Sequence, residues 1–166
     1  MKDDIRSRAV ELHGNQLYGE KYPYVIHLDS TWAFMERFSY LLTEEELEIV
    51  KLAIPCHDLL EDTDLTKEDL GLIIGKEATD IVYRVSDEEG KNRKERKEKT
   101  YPKMMGHKLA TFVKLCDRLA NVSFGYALNS REFSMYREEN REFVDKLYLE
   151  HLDKMFCTLD ELFELH

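Results

Sequence analysis

Over residues 107–122 the apolar side chains Leu109, Phe112, Val113, Leu115, Cys116, Leu119 and Val122 recur at intervals of three and four, which lines up one face of an α-helix. A half-buried strand would alternate instead, and no stretch of the chain offers an alternating pattern to compete. Only seven Gly and three Pro interrupt the 166 residues, too few for the turns of an all-β fold. The spacing therefore predicts an all-α fold. With 43% hydrophobic residues the chain is long enough for one domain, residues 1–166, around one sizeable core.

In chain order, a first helix is expected over residues 4–13, stopping at Gly14, followed by a loop to Pro23 and a long buried helix over residues 24–42. Thr43-Glu44-Glu45-Glu46 is a capping-box signature, so the helix that carries His57 and Asp58 is expected to start there, with Pro55 removing a hydrogen bond and kinking it. Thr66 reads as the cap of a short helix ending at Gly75, and residues 76–85 as a further one. Two amphipathic helices over residues 131–149 and 151–165 are expected to cover the core, and they offer a surface for a homo-oligomer.

The chemistry concentrates in Ile54-Pro55-Cys56-His57-Asp58-Leu59-Leu60-Glu61-Asp62-Thr63. On a helix, His57 and Glu61 share one stripe and Asp58 and Asp62 the next. Three carboxylates so close repel one another unless a cation or a proton sits among them. A further acid, Asp117, interrupts the apolar face of residues 107–122. A buried aspartate costs several kcal/mol unless it is paired or metal-bound. Neighbouring Arg118 points about 100° away on a helix and is an awkward partner, which favours metal ligation at Asp117. His27 fits either a core histidine bonded to a carbonyl or a further ligand. Imidazole and carboxylate together suit Mn²⁺, Fe or Zn²⁺ better than Ca²⁺ or Mg²⁺.

A formal net charge of −10 argues against a surface for a long nucleic acid. Against that background the basic stretch of residues 91–103 is the main anomaly. It reads either as a solvated mobile loop or as a source of phosphate contacts from Arg93, Lys97, Lys99 and Lys103. Cys56, Cys116 and Cys157 show no CxxC spacing, which points to a reducing compartment, and Cys56 and Cys116 read as small core residues. The first residues carry no apolar run of signal or membrane length, so a soluble cytoplasmic protein is expected, with no membrane partner. His13, His107, His151 and His166 read as structural or exposed.

Three ordered motifs resemble those of the HD superfamily of metal-dependent phosphohydrolases, and more narrowly RelA/SpoT-type hydrolase domains and small stand-alone bacterial HD proteins. Residues 57–63 are similar to HDxxEDT, residues 114–121 (Lys-Leu-Cys-Asp-Arg-Leu-Ala-Asn) to KLADRxxN, and residues 23–27 to PYxxH, so the resemblance spans about residues 8–125. It implies a compact HD-domain helical bundle with metal ligands at His27, His57, Asp58 and Asp117, usually around one Mn²⁺. It also implies that Glu61 and Asp62 orient and deprotonate the attacking water, and that Asn121 contacts a nucleotide. Lys114, Asp117 and Asn121, spaced three and four apart, share one helical face. The chain departs from the family pattern at Leu28, where Pro is usual, at Ala120, and at Tyr18, where the loop before the first motif is expected to present an Arg. The expected activity is hydrolysis of a phosphate or diphosphate ester of a nucleotide-like substrate, as in (p)ppGpp 3′-pyrophosphohydrolases. An HD-type 5′-nucleotidase and a non-catalytic nucleotide-binding module are the alternatives.

Overall fold

A computed structural model describes residues 2–165, so Met1 and His166 lie outside the described residues. The helices are α1 (Lys2–His13), α2 (Val25–Phe38), α3 (Glu44–Ala53), α4 (Leu59–Asp62), α5 (Lys67–Val85), α6 (Arg93–Met104), α7 (Lys108–Ala127), α8 (Arg131–Leu147) and α9 (Asp153–Glu164). The expected all-α class is borne out. The one addition is a two-residue antiparallel ribbon, β1 (Leu17–Tyr18) with β2 (Tyr22–Pro23), inside the segment expected to be a loop.

Helix α7 is the axis of the bundle. Phe112, Val113, Leu115, Cys116, Leu119 and Val122 are all fully buried, and α2, α5, α8 and α9 pack around them. Removing Phe112 to Ala would cost about 3–5 kcal/mol, the usual penalty for emptying a closed aromatic site. Cys56 and Cys116 are buried free thiols, as expected of small core residues; burial pushes the Cys56 thiol up to about 12. Helices α8 and α9 add Phe133, Phe143, Phe156 and Phe163 to the same apolar cluster, so they extend the core as well as cover it.

Two expectations are corrected. The helix begun by the Thr43–Glu46 capping box ends at Ala53, and Pro55 lies in a 3₁₀ turn, Ile54–Cys56. His57 and Asp58 therefore sit in a break between α3 and α4, because Pro55 has no N–H to continue the ladder. The basic stretch is not a loop: all but its first two residues lie in α6. Asn92 caps it by accepting from the Glu95 amide, Lys99 pairs with Glu95 one turn away, and Lys97, Thr100, Tyr101 and Met104 are buried. Gly75 ends one helical run at φ 80°, and the next begins directly, so α5 is kinked there as expected.

Candidate metal centre and its recess

The break at Pro55 creates the site. It leaves the Ile54 carbonyl facing forward along the chain, where it accepts from the His57 backbone amide at 3.4 Å and from His57 Nδ1 at 2.7 Å. A carbonyl only accepts, so Nδ1 carries the hydrogen and Nε2 is turned inward. His27, two residues into α2, aims its Nε2 at the same point, 3.1 Å from that of His57. Asp58 Oδ2 lies 2.9 Å from His57 Nε2 and 3.3 Å from His27 Nε2. Asp117 Oδ1, from the middle of α7, is 3.4 Å from His27 Nε2 and 3.7 Å from His57 Nε2. Donor atoms of His27, His57 and Asp117 all fall within 4.8 Å of one another.

Two imidazole nitrogens this close cannot both present lone pairs across empty space. A proton or a cation has to lie between them, and two carboxylates beside them supply the compensating charge. The donor set fits a divalent metal of the borderline class. In the metal-free state protons take that role. Burial disfavours the charged imidazole of His57, but Asp58 and Asp117 outweigh it and hold its pKa well above the ordinary value. Burial also opposes ionisation of Asp58 and Asp117, yet His57 and His27 for the first, and Lys114 with both imidazoles for the second, keep the carboxyls well below the usual range.

Surrounding groups hold these side chains in place. The Tyr24 hydroxyl donates to Asp58 Oδ2. Asn121 Nδ2 donates to Asp117 Oδ1 at 2.6 Å, and Lys114 Nζ lies 3.1 Å from Asp117 Oδ2, so the three residues expected on one face of α7 do meet. Burial works against the Lys114 ammonium, but Asp117, Glu61 and Asp87 raise its pKa and hold it charged.

Tyr24, His27, Asp58, Lys114, Asp117 and Asn121 line a recess of about 260 Å³. Glu61 and Asp62, on α4, stand at its edge; Glu61 Oε1 accepts from the Asp87 amide at 2.9 Å, and Asp62 Oδ2 from Gln16 Nε2 at 2.8 Å. The protein packed around Glu61, with Asp58 and Asp87 adding to it and Lys114 opposing, raises its pKa. Arg93 and Lys97 of α6 line the same recess. Lys97 Nζ pairs with Asp87 at 2.9 Å, and burial together with nearby Lys114 lowers its pKa to about 8.

Lys99 and Lys103 do not join this recess. Lys99 bonds the Glu89 carbonyl and Glu95, and Lys103 bonds the Tyr83 and Ser86 carbonyls and Glu88. Once residues 93–104 are helical, Arg93 and Lys97 share one face, while Lys99, two residues beyond Lys97, and Lys103 share a face turned about 200° away. Sequence reasoning missed four residues that line the recess: Tyr24, Asp87, Arg118 and Tyr136. Arg118 is buried, bonds Glu139 at 3.2 Å and lies over the Tyr136 ring. Its place in an apolar run was a usable signal; nothing in the tail marked Tyr136.

Tyr18 stacks on Phe124 with ring centroids 4.0 Å apart and donates to Asn121 Oδ1 at 2.9 Å. It stands with Asn121 and Tyr136 between the metal recess and a neighbouring one of about 380 Å³. A larger cavity of about 680 Å³, at the α5 kink, contains none of these residues.

No family model matches the chain. It is 30% identical over 118 residues to guanosine-3′,5′-bis(diphosphate) 3′-pyrophosphohydrolase MESH1 of Danio rerio, covering 69% of this chain and 63% of that protein. The chain thus matches less than two thirds of the relative's length. Its fold matches that of a metazoan orthologue of SpoT described as hydrolysing ppGpp, with a TM-score of 0.74 and 21% identity over 99% of this chain and 94% of that one. A protein of Listeria monocytogenes EGD-e aligns with a TM-score of 0.64 and 21% identity over 90% of this chain and 99% of its own. Among the described residues no helix is long and apolar enough to cross a membrane. In fold and in the order of its motifs, the chain resembles the SpoT-like branch of the HD superfamily.

Proposed function

We propose that this chain is a metal-dependent phosphohydrolase that cleaves a phosphate or diphosphate ester of a nucleotide, working in the cytoplasm as a single HD domain with Mn²⁺ as its ion. The observation that carries this reading is the meeting, in one recess, of His27, Asp58 and Asp117, backed by His57 Nε2 within 3.1 Å of His27 Nε2, with the Glu61–Asp62 pair and the cations Arg93, Lys97, Lys114 and Arg118. His27, His57, Asp58 and Asp117 hold the ion, which when bound supplies Lewis acidity toward a phosphoryl oxygen and lowers the pKa of a water. One carboxylate of the Glu61–Asp62 pair takes the proton of the attacking water as its oxygen forms the new bond to phosphorus, while the other holds that water in place. The ester or anhydride P–O bond breaks, and the leaving oxygen takes up the proton that the Glu61–Asp62 pair removed from the water. Lys114, Lys97, Arg93 and Arg118 hold the phosphoryl oxygens that face away from the donor set. Asn121 and Tyr18 contact the nucleoside side of the substrate.

The Tyr18–Asn121 contact also favours a second reading, a nucleotidase for a smaller substrate. The recess on the metal side, about 260 Å³, is below the usual range for sites that enclose a drug-sized ligand, about 300–1,000 Å³. A substrate the size of guanosine tetraphosphate requires Tyr18 to swing aside and join the two recesses. The test is hydrolysis by Mn²⁺-loaded wild type and Tyr18→Ala against guanosine tetraphosphate and against nucleoside mono-, di- and triphosphates. Pyrophosphate release from the tetraphosphate supports the first reading, phosphate release confined to monophosphates the second, and background rates throughout refute both.

A further inference from the structure

His13, at the end of α1, lies outside the recess, yet it connects to two of the carboxylates on which the proposed chemistry depends, Asp62 and Asp58. Its Nδ1 is 2.8 Å from Gln16 Oε1, and Gln16 Nε2 is 2.8 Å from Asp62 Oδ2. An ionised Asp62 only accepts, so the Gln16 amide must present its NH₂ to the acid and its oxygen to the imidazole. That oxygen in turn requires a hydrogen on His13 Nδ1. The polarity of the whole arm is therefore set by one ring nitrogen. The same imidazole packs on Tyr24 with centroids 4.3 Å apart, and the Tyr24 hydroxyl donates to Asp58. His13 is buried, and its Nε2 has no hydrogen-bond partner among the described residues. Gln16 is its polar attachment there, and the ring's other contact is the face of Tyr24.

We propose that His13 is a positioning residue for hydrolysis: through Gln16 it holds Asp62 in one orientation as an acceptor, and through the Tyr24 ring it steadies Asp58. It touches neither substrate nor metal. A glutamine whose oxygen has lost its donor is no longer fixed in one rotamer, so its NH₂ holds Asp62 only part of the time. The acid then leaves the position from which it acts on the water, while phosphate binding by α6 and α7 is unaffected. This assignment rests on the phosphohydrolase reading.

The test compares His13→Ala with His13→Asn, whose amide NH₂ falls near the position of Nδ1. Loss of one aligned hydrogen bond predicts a kcat about tenfold lower for His13→Ala with KM within about twofold, and recovery of most of it in His13→Asn. A second readout is independent of catalysis. Long-range ¹H–¹⁵N spectra of the neutral ring in wild type should show the Nδ1–H tautomer, and Gln16→Leu should release it to the Nε2–H form. An Nε2–H tautomer in wild type overturns the proposal whether or not the protein hydrolyses anything. So does a His13→Ala enzyme with wild-type kcat, or an equal loss in both variants that tracks their melting temperatures. Background hydrolysis by wild type with the Nδ1–H tautomer present overturns the enzymatic reading and, with it, the catalytic purpose given to His13, while leaving the His13–Gln16 hydrogen bond established.

Discussion

Metal binding at this site should expel protons, and the geometry bounds their number. With no ion between them, His27 Nε2 and His57 Nε2 at 3.1 Å require at least one proton, and at most each ring carries one on the inward nitrogen. Burial works against both charged rings, but the Asp58 and Asp117 carboxylates raise both pKa values. An entering divalent ion takes both lone pairs, so between one and two protons leave. Below the raised values, each proton makes metal affinity fall tenfold per pH unit, equivalent to about 1.4 kcal/mol. Below both raised values the dissociation constant for Mn²⁺ should therefore weaken about tenfold per pH unit for one proton and about 100-fold per pH unit for two. Calorimetric titration of the metal-free protein at pH 7, in two buffers of different ionisation enthalpy, counts the protons directly. Release of less than half a proton, or affinity that does not change with pH, refutes the argument. Stability gives the complementary sign. A histidine pKa raised by folding contributes stability that is complete below the unfolded value of about 6.5 and is lost as pH rises through the folded one. The metal-free protein should accordingly weaken on the alkaline side, and the depressed pKa values of Asp58 and Asp117 should weaken it again in acid, below the ordinary value of 3.8.

Glu61→Gln should retain its metal content and lose about 10²–10⁴-fold in kcat, the range for general-base catalysis; unchanged turnover in metal-replete protein would remove Glu61 from the mechanism. Lys97 should titrate near pH 8 in ¹³Cε spectra, because burial and Lys114 disfavour its charge more than Asp87 supports it. Since the unfolded side chain holds its proton to about 10.5, Lys97 makes stability rise with pH between the two values; a midpoint near 10.5 in the folded protein contradicts this. Gly19→Ala places a Cβ 2.6 Å from Phe124 Cε1 at a φ of +56°, so it should cost about 1–3 kcal/mol and displace the Tyr18 hairpin. Urea unfolding checks the energy, and an unchanged Tyr18 ring environment by NMR would count against the displacement. Phe112→Ala should lower stability by about 3–5 kcal/mol without altering the stoichiometry of metal binding. A loss under 1 kcal/mol would mean that the α7 core collapses around the gap.

Much of the fold was legible because helical periodicity is local. The three- and four-residue spacing through Leu109 to Val122, the Thr43 capping box and the break at Gly75 each follow from interactions within a few residues along the chain, and each appears where expected. The basic stretch was harder, since α6 has few large apolar residues; its burial of Thr100, Tyr101 and Met104 depends on what packs against it. The same holds for Lys99 and Lys103, whose types suggested phosphate contacts but whose directions were set by the helical turn of a segment read as a loop.

For the site, the unusual residue types were the readable part: an acid inside an apolar helix face at Asp117, and His57-Asp58 beside a proline. Sequence by itself determined those residues and the energetic pressure on them, because a buried carboxylate carries its desolvation cost wherever it is placed. Tertiary structure alone decided that α2, the α3–α4 break and α7 bring four donors to one point, and that α6 turns Arg93 and Lys97 inward. It also decided that Tyr136 arrives from the tail and that Tyr18 stands between two recesses. Those are relations between residues up to 118 positions apart, set by packing around α7, and no local pattern encodes them.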